Sequence, residues 1–281
     1  MKKNLFIQAA AFAVLIAAAS CNQSTENENK SETKSEAMKP LITESNVSYK
    51  ADTMTMQGFV AYDSSIAGKR PVVLVVPEWW GLNDYTRSRA RQLASLGYLA
   101  MAVDMYGEGR IAENPDMAGK MAMPFYKDAA LAKSHFDAAL ASIKANPLAD
   151  TSKVAAIGYC FGGGMVLNMA RLGENLSGVV SFHGSLVGVP ADKKLLKAPI
   201  LVCHGDSDKF VKPDEVAKFK FQLDSIGASY TFKTYANATH AFTNPDATAT
   251  GKKFSMPIEY NAAADTASWN DMKDFFGKIF K

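Results

Sequence analysis

Apolar runs rich in β-branched residues alternate with helix-like amphipathic stretches along most of this chain, and this alternation constrains the fold most. The run PVVLVVP at residues 71–77 has no polar residue, which is typical of a strand buried on both faces of a parallel sheet. The pattern predicts strands at residues 47–49, 56–62, 71–77, 98–104, 154–159, 178–182, 200–204 and 230–235, and helices at 83–96, 124–145, 163–172, 213–225 and 262–279. This order indicates a doubly wound α/β fold with a mostly parallel central sheet and helices on both faces.

The N-terminal 40 residues do not share this alternation. Two lysines precede an apolar run at residues 5–19 that is too short for a mature membrane-spanning helix. The run ends in a small-residue site with Cys21 at the cut, which resembles the lipobox of bacterial lipoproteins. We expect residues 1–20 to be a lipoprotein signal peptide, Cys21 to carry a lipid anchor, and the polar residues 21–40 to be a flexible tether. The alternative is an ordinary secretory peptide with an incidental cysteine.

The charge and apolar content restrict the partners of the domain that follows, residues 41–281. The chain carries 31 Lys and Arg against 28 Asp and Glu, a net charge of +3, with no domain-sized basic excess. This balance argues against nucleic acid as a partner. With 48% hydrophobic residues, the chain can build a sizeable core. Because no later stretch is long and apolar enough to span a bilayer, the lipid on Cys21 is the expected membrane attachment, and the protein is expected in the bacterial cell envelope.

The strongest chemical motif is GYCFG at residues 158–162, between a predicted strand and a predicted helix. It matches the G-x-S-x-G nucleophile elbow, with Cys160 in place of serine. A sharp strand-to-helix turn strains the backbone of the nucleophile, and side chains at Gly158 or Gly162 would collide with the neighbouring strand and helix. The sulfur would lie at a helix N-terminus, whose dipole and free N–H groups favour a thiolate and an oxyanion. Taken alone, the motif also fits an inert buried cysteine.

Candidate partners for Cys160 follow two later strands, in the order acid then base that this scaffold uses. Asp206 and Asp208 come just after one predicted strand, and His240 comes just after the next. We expect His240 to be the general base and an aspartate to hold its other ring nitrogen. Asp208 is preferred because Asp206 is suited to shaping a tight turn, but both remain candidates.

The remaining histidines and Cys203 favour structural interpretations. His183 and His204 end strands at the same sheet edge and are expected to have a hydrogen-bonded structural role, with pocket lining as the alternative. His135 is expected at the surface or flank of a helix. Cys203 is expected to be a buried small hydrophobic residue, out of disulfide reach of Cys160 if one strand separates their strands. A zinc site from these cysteines and histidines lacks paired-ligand spacing, so no metal or cofactor is expected.

Four segments in order resemble the dienelactone hydrolase family of α/β-hydrolases. They are PEWWGLN at 77–83, GYCFGG at 158–163, DKFV at 208–211 and HAF at 240–242, and the match runs from about residue 47 to the final helix. The resemblance implies an α/β-hydrolase fold and a triad of Cys160, Asp208 and His240.

The resemblance also assigns the residues around that triad. It implies that Glu78 contacts the resting thiol and receives its proton when substrate enters. It further implies that the backbone N–H groups of Phe161 and Trp79 form the oxyanion hole. Aromatic side chains are expected to line an apolar substrate pocket, namely Trp80, Tyr126 and Phe242.

The implied reaction is hydrolysis of a small-molecule carboxylic ester or lactone through a thioester acyl-enzyme. Members that cleave dienelactone use arginines to grip the substrate carboxylate, one of them shortly after the triad histidine. Here the corresponding stretch, residues 243–245, reads TNP and contains no arginine, so dienelactone itself is not the expected substrate. The alternative function is a catalytically silent binding module on the same scaffold. Thiol–disulfide exchange is disfavoured because the chain has no C-x-x-C pair.

Overall fold

A computed structural model describes residues 39–281. The predicted signal peptide, the lipidation site Cys21 and the tether up to residue 38 lie outside the described residues. None of the helices in the described part combines the length and the apolar character that a membrane crossing requires.

Eight strands of the described chain form one sheet in the order β1-β2-β4-β3-β5-β6-β7-β8. They are β1 (Ile42–Ala51), β2 (Met54–Asp63), β3 (Arg70–Val76), β4 (Leu99–Ala102), β5 (Ala149–Tyr159), β6 (Gly178–Phe182), β7 (Ile200–Gly205) and β8 (Tyr230–Tyr235). Strands β1 and β2 pair antiparallel, β2 also runs antiparallel to β4, and every pairing from β4 through β8 is parallel. The mostly parallel sheet expected from the sequence is thus confirmed, with β6 between β5 and β7.

Helices cover both faces of this sheet within residues 39–281. They are α1 (Asp84–Ser95), α2 (Pro115–Lys127), α3 (Ala129–Lys144), α4 (Phe161–Arg171), α5 (Pro213–Ile226), α6 (Ala247–Phe254) and α7 (Ala262–Ile279). Alternate residues of β3 enter two separate apolar cores. Val72, Leu74 and Val76 pack in the core shared with α2, α3, α4 and α5, while Val73 and Val75 pack in the core shared with α1 and α7. Burial on both faces explains why the run at residues 71–77 contains no polar residue.

Two helical regions differ from the sequence prediction. The single helix predicted at 124–145 is two helices, because Asp128 adopts extended backbone and its carboxylate caps α3 by accepting from the Ala130 and Leu131 N–H groups. Helix α2 begins earlier, where Asn114 caps it just before a proline. Helix α6 was not predicted, and its Asp246 N-cap makes no side-chain capping bond that could have marked its start.

The carboxyl ends of the parallel strands meet at one edge of the sheet, and that edge carries the candidate site. Glu78 follows β3, Cys160 follows β5, Asp208 follows β7 and His240 follows β8. Strand connections therefore bring together four chemical groups that are up to 162 residues apart. The prediction that His135 lies at the surface or flank of its helix is wrong. His135 is buried, and its Nδ1 lies 2.9 Å from the Met105 carbonyl oxygen.

Candidate active site

Cys160 occupies the sharp turn between β5 and α4, with φ 51° and ψ −112°. This positive φ is rare for a residue with a side chain and is a strained conformation. Its N–H donates to the Phe182 carbonyl at 3.0 Å, which fixes the turn against β6. A Cβ on Gly158 would lie 2.1 Å from the Gly162 oxygen, and one on Gly162 would lie 2.2 Å from the Val76 oxygen. The turn therefore has no room for side chains at these two glycines.

His240 and Asp208 form a hydrogen-bonded pair beside this turn. The His240 Nδ1 lies 2.8 Å from the Asp208 Oδ2, and the Phe210 N–H donates to the other carboxylate oxygen at 2.8 Å. Asp206, the other candidate, is exposed and accepts a bond from the neighbouring Ser207 hydroxyl. Of the two aspartates, the structure places Asp208 against the imidazole.

The surroundings of His240 favour its protonated form. Burial would lower the pKa of His240, but the negative charge of Cys160 and the hydrogen bond to Asp208 outweigh it, so the pKa lies well above its ordinary value. Burial likewise acts to raise the pKa of Asp208, yet the hydrogen bond from His240 and its charge leave that pKa below the ordinary value. His240 therefore holds its proton at neutral pH when Cys160 is a thiolate.

Glu78 is a buried carboxylic acid at the end of β3, only 2% exposed. Burial raises its pKa from 4.5 to about 7, although the Asn244 Nδ2 donates to its Oε2 at 2.7 Å and opposes the shift. Among the described residues its side chain has no hydrogen bond to Cys160, the contact that the family resemblance implies. Glu78 and Cys160 instead line one cavity as neighbours.

The backbone N–H groups of Trp79 and Phe161 are available beside the nucleophile. Neither donates a hydrogen bond to another of the described residues. For Phe161 the reason is its place as the first residue of α4, where the N–H has no acceptor within the helix. The loop that carries Trp79 is fixed, because the Gly162 N–H donates to the Pro77 oxygen at 3.0 Å and the Tyr106 hydroxyl donates to the Trp79 oxygen at 2.9 Å. Both backbone N–H groups therefore lie close to Cys160 in the chain or at its cavity without a hydrogen-bond acceptor among the described residues.

A cavity of about 240 Å³ opens over Cys160. It is lined by Glu78, Trp79, Trp80, Tyr126, Cys160, Ser185, Phe210, Val211, His240, Ala241, Met256 and Ile258. Among residues 39–281, this lining includes Trp80 and Tyr126, which were predicted to line a pocket, and contains no lysine or arginine. The prediction that Phe242 lines the pocket is wrong. Its side chain is fully buried beneath the site, with its ring centroid 5.3 Å from that of His183.

Sequence reasoning missed the wall formed by Phe210, Met256 and Ile258. Phe210 packs against the His240 ring with centroids 5.0 Å apart, and its position two residues after Asp208 was a usable signal. Met256 and Ile258 follow α6 and reach the site because Ile258 pairs with His240 in an isolated β-bridge. No local pattern marks that pairing.

The other cysteine and histidine side chains of residues 39–281 do not line this cavity. Cys203 is a fully buried free thiol whose pKa burial raises to about 12, so it stays protonated. His183 is also fully buried, and burial together with the charge of His240 holds its pKa well below the ordinary value. His204 is buried and its ring packs on Phe232. No group of three or more His, Cys, Asp or Glu in residues 39–281 is arranged to hold a metal ion.

The sequence and the fold of this chain are similar to those of known proteins. A model of the dienelactone hydrolase family matches residues 56–280. A relative from Aquifex aeolicus named as a carboxymethylenebutenolidase is 30% identical over 203 residues, covering 70% of this chain and 86% of its own. The crystal structure of a dienelactone hydrolase-like promiscuous phosphotriesterase from metagenomic libraries is 34% identical, with a TM-score of 0.80, and covers 85% of this chain and 98% of its own. A Klebsiella pneumoniae structure at 23% identity and TM-score 0.72, covering 84% of this chain and 99% of its own, supports the fold alone.

Proposed function

We propose a catalytic triad for this chain, which belongs to the dienelactone hydrolase family and is a hydrolase of the carboxylic ester type. In this proposal Cys160 is the nucleophile, and Asp208 and His240 complete the triad. One observation carries the proposal. The strained Cys160 turn borders the same cavity as His240, and the far nitrogen of His240 is held by Asp208 at 2.8 Å. This arrangement supports the proposal that Cys160 is a nucleophile and that His240 is its oriented base.

In the first half of the proposed reaction, the Cys160 thiolate attacks the carbonyl carbon of an ester or lactone and forms a C–S bond. The carbonyl oxygen becomes an oxyanion that accepts hydrogen bonds from the Trp79 and Phe161 N–H groups. Collapse breaks the C–O bond, and the leaving oxygen takes the proton of His240. A thioester on Cys160 remains.

Glu78 supplies the proton acceptor that this scheme needs for the thiol. A carboxyl group with a pKa of about 7 is partly ionised at neutral pH and takes the Cys160 proton as the thiolate forms. His240 then keeps its own proton for the leaving group. Because Glu78 and His240 have different pKa values, they serve different proton transfers: Glu78 accepts the proton of the thiol, and His240 donates to the leaving group.

In the second half, the neutral His240 removes a proton from water, which attacks the thioester. The C–S bond breaks, a carboxylic acid leaves, and the Cys160 thiolate is regenerated with His240 again protonated. Esters and lactones suit this site better than amides. A thiolate is itself a good leaving group, so the first tetrahedral intermediate returns to substrate unless the other leaving group is comparable.

The cavity favours an uncharged acyl group. No lysine or arginine of the described part of the chain lines it, and the residue four positions after His240 is Asn244, whose amide is bonded to Glu78. A substrate carboxylate would lose its hydration there and meet the Glu78 carboxylate. The proposed substrates are therefore neutral, apolar esters or lactones.

Steady-state hydrolysis of p-nitrophenyl esters by wild type and Cys160→Ala tests this function. Cys160→Ala is expected to lose at least about 10³-fold in kcat while remaining folded, because the covalent route disappears. The uncharged p-nitrophenyl valerate is expected to exceed the mono-p-nitrophenyl ester of glutaric acid by at least about tenfold in kcat/KM. An active Cys160→Ala enzyme would refute the nucleophile, and preference for the charged ester would refute the substrate class. If the wild-type protein cleaves none of these esters, the alternative function, a catalytically silent binding module, is favoured.

Met256 offers a matched test of the charge argument, since it lines the cavity and is partly exposed. Met256→Lys is expected to raise relative kcat/KM for the glutarate ester, because it adds the cation that the cavity lacks. Met256→Gln, of similar length and uncharged, is the control and is expected to leave the ratio of the two esters unchanged.

A second activity has one specific observation in its favour. The 34% identical relative is named as a promiscuous phosphotriesterase, and neutral phosphotriesters also suit a cavity without cations. We propose that Cys160 attacks the phosphorus of such a triester, forming an S–P bond and expelling p-nitrophenolate from paraoxon. Water activated by His240 then attacks the phosphorus and breaks the S–P bond, which releases diethyl phosphate and regenerates Cys160. Release of p-nitrophenol from paraoxon that is absent in Cys160→Ala would support this activity, and no release by wild type would exclude it.

We further propose that the chain is an exported lipoprotein, on the basis of the sequence ending in Cys21. Cells fed an alkyne fatty acid are expected to label the full-length protein, and Cys21→Ser is expected to abolish the label and release the protein from membranes. Unlabelled wild-type protein would support the ordinary secretory peptide instead.

A further inference from the structure

A chain of buried hydrogen bonds beneath the cavity joins the turn of Cys160 to the loop after His240. The Cys160 N–H donates to the His183 Nδ1 at 3.1 Å, in addition to its bond to β6. On the far side of that ring, the His183 Nε2 lies 2.7 Å from the Thr243 Oγ1, and the Tyr85 hydroxyl lies 2.6 Å from the same oxygen. The side chains of His183 and Thr243 are fully buried and outside the cavity lining.

The protonation of His183 follows from its partners. Burial and the neighbouring charge of His240 hold its pKa well below the ordinary value, so the ring is neutral. Because Nδ1 accepts from the Cys160 N–H, the proton is on Nε2, which donates to the Thr243 hydroxyl oxygen. The same ring packs on the His240 ring with centroids 5.3 Å apart. One imidazole therefore touches both the nucleophile turn and the base.

Thr243 is fixed from its backbone as well. The Arg89 Nη2 donates to the Thr243 carbonyl oxygen at 2.6 Å and to the Asp265 Oδ1 at 2.6 Å, tying the loop to α1 and α7. Arg89 is only 4% exposed, so water screens these bonds little. Movement of Thr243 would break a charge-assisted bond, and rotation of its side chain would leave the His183 Nε2–H unpaired.

We propose that Thr243 is a positioning residue for the hydrolysis proposed above: its hydroxyl fixes the neutral His183 ring, and that ring sets the placement of the Cys160 turn relative to His240. The inference rests on the proposed function of Cys160 and His240. Thr243 touches neither substrate nor the reacting atoms. It acts through His183, because a displacement of about 1 Å between nucleophile and base is enough to cost about 10²-fold in rate.

The test compares Thr243→Val with Thr243→Ser. Valine keeps the branched shape and removes the acceptor, whereas serine keeps the hydroxyl and loses only a methyl group. For p-nitrophenyl butyrate, Thr243→Val is expected to lower kcat at least about tenfold with KM within about twofold, since ground-state contacts in the cavity are untouched. Thr243→Ser is expected to stay within about threefold of wild type. Histidine NMR is expected to show the pKa of His240 nearer its ordinary value in Thr243→Val, because its pairing with Cys160 is looser.

Two controls separate positioning from general damage. Ile143→Ala removes a buried side chain of α3 that is not part of the network, and it is expected to lower stability while leaving kcat unchanged. A second pair at His183 serves if Thr243→Val does not fold. His183→Gln offers an acceptor and a donor on one side chain, and it is expected to retain at least about ten times the kcat of His183→Met.

The possible outcomes are distinct. Wild-type kcat in folded Thr243→Val, equal losses in the Val and Ser variants, or equal kcat for His183→Gln and His183→Met would each overturn the positioning role. A loss in Ile143→Ala matching that of Thr243→Val would do the same. Retained ester hydrolysis in Cys160→Ala would instead refute the proposed function itself, whatever the Thr243 variants do.

Discussion

Glu78→Gln is expected to stabilise the protein in alkaline solution and to slow its reaction. Glu78 is 2% exposed, has one hydrogen-bonding side-chain partner in Asn244, and has a pKa raised by burial from 4.5 to about 7. A pKa difference of this size between the unfolded and folded states corresponds to about 3 kcal/mol of unfolding free energy. Glutamine removes the charge and keeps an oxygen for the Asn244 amide.

The sign follows from proton binding. Between pH 4.5 and about 7 the folded protein holds a proton on Glu78 that the unfolded chain has released, so this contribution to stability is present below pH 4.5 and is lost as pH rises through about 7. Urea unfolding of wild type and Glu78→Gln measures it. The stability of Glu78→Gln relative to wild type is expected to be about 2.5 kcal/mol greater at pH 8.5 than at pH 5. Glu113→Gln, at an exposed glutamate, is the control and is expected to show no such difference.

The same variant is expected to lose at least about tenfold in kcat for activated esters, because glutamine accepts no proton from the thiol. Greater stability with lower activity is typical of a residue whose burial is kept for function. Glu78→Gln that is less stable than wild type at pH 8.5 would refute this reasoning, since it would show that the ionised carboxylate is a net stabilising partner.

Three further outcomes test the rest of the site. Asp208→Asn is expected to lower kcat at least about tenfold in ester assays, whereas Asp206→Asn, at an exposed turn, is expected to stay within about twofold; similar losses in both would contradict the pairing at 2.8 Å. Cys203→Ala is expected to keep wild-type kcat and to cost about 1 kcal/mol in urea unfolding, so a loss of activity would give that buried thiol a role. Gly162→Ala is expected to destabilise the fold by more than about 2 kcal/mol, because its Cβ would lie 2.2 Å from a backbone oxygen of β3; wild-type stability would show that the turn relaxes.

The sheet was predictable where local physics decides the conformation. The apolar run at 71–77 can only be buried on both faces, and the observed β3 serves two cores as that pattern requires. The boundary between α2 and α3 was not predicted, because Asp128 ends one helix and caps the next within an otherwise helical pattern. Pro124, which the sequence prediction took as a helix start, lies inside α2.

The site was predictable only as far as motif order reaches. The GYCFG turn and the order of Asp208 and His240 place three groups at the ends of three strands, and the fold brings those ends to one edge. The bonds of Asn244 to Glu78 and of Thr243 to His183 join residues 166 and 60 positions apart. Such pairings depend on side-chain direction after packing, and no local periodicity encodes them.

The strained turn of Cys160 and the buried carboxyl group of Glu78 each cost free energy, and the same loops hold both in place. This shared support indicates that the two features belong to one functional unit. If the Cys160 turn separated from the loop that follows β3, residues 77–83, the backbone strain at Cys160 would be relieved and the Glu78 carboxyl group would regain water. The Gly162 N–H bond to the Pro77 oxygen prevents that separation, and the bond from Asn244 fixes the Glu78 oxygen from the loop after His240. Burial favours the protonated form of Glu78, and a substrate that brought its own negative charge would favour that form further and remove the proposed acceptor for the thiol proton. In the proposed mechanism, selection for neutral substrates and activation of the thiol would therefore depend on the same buried carboxyl group.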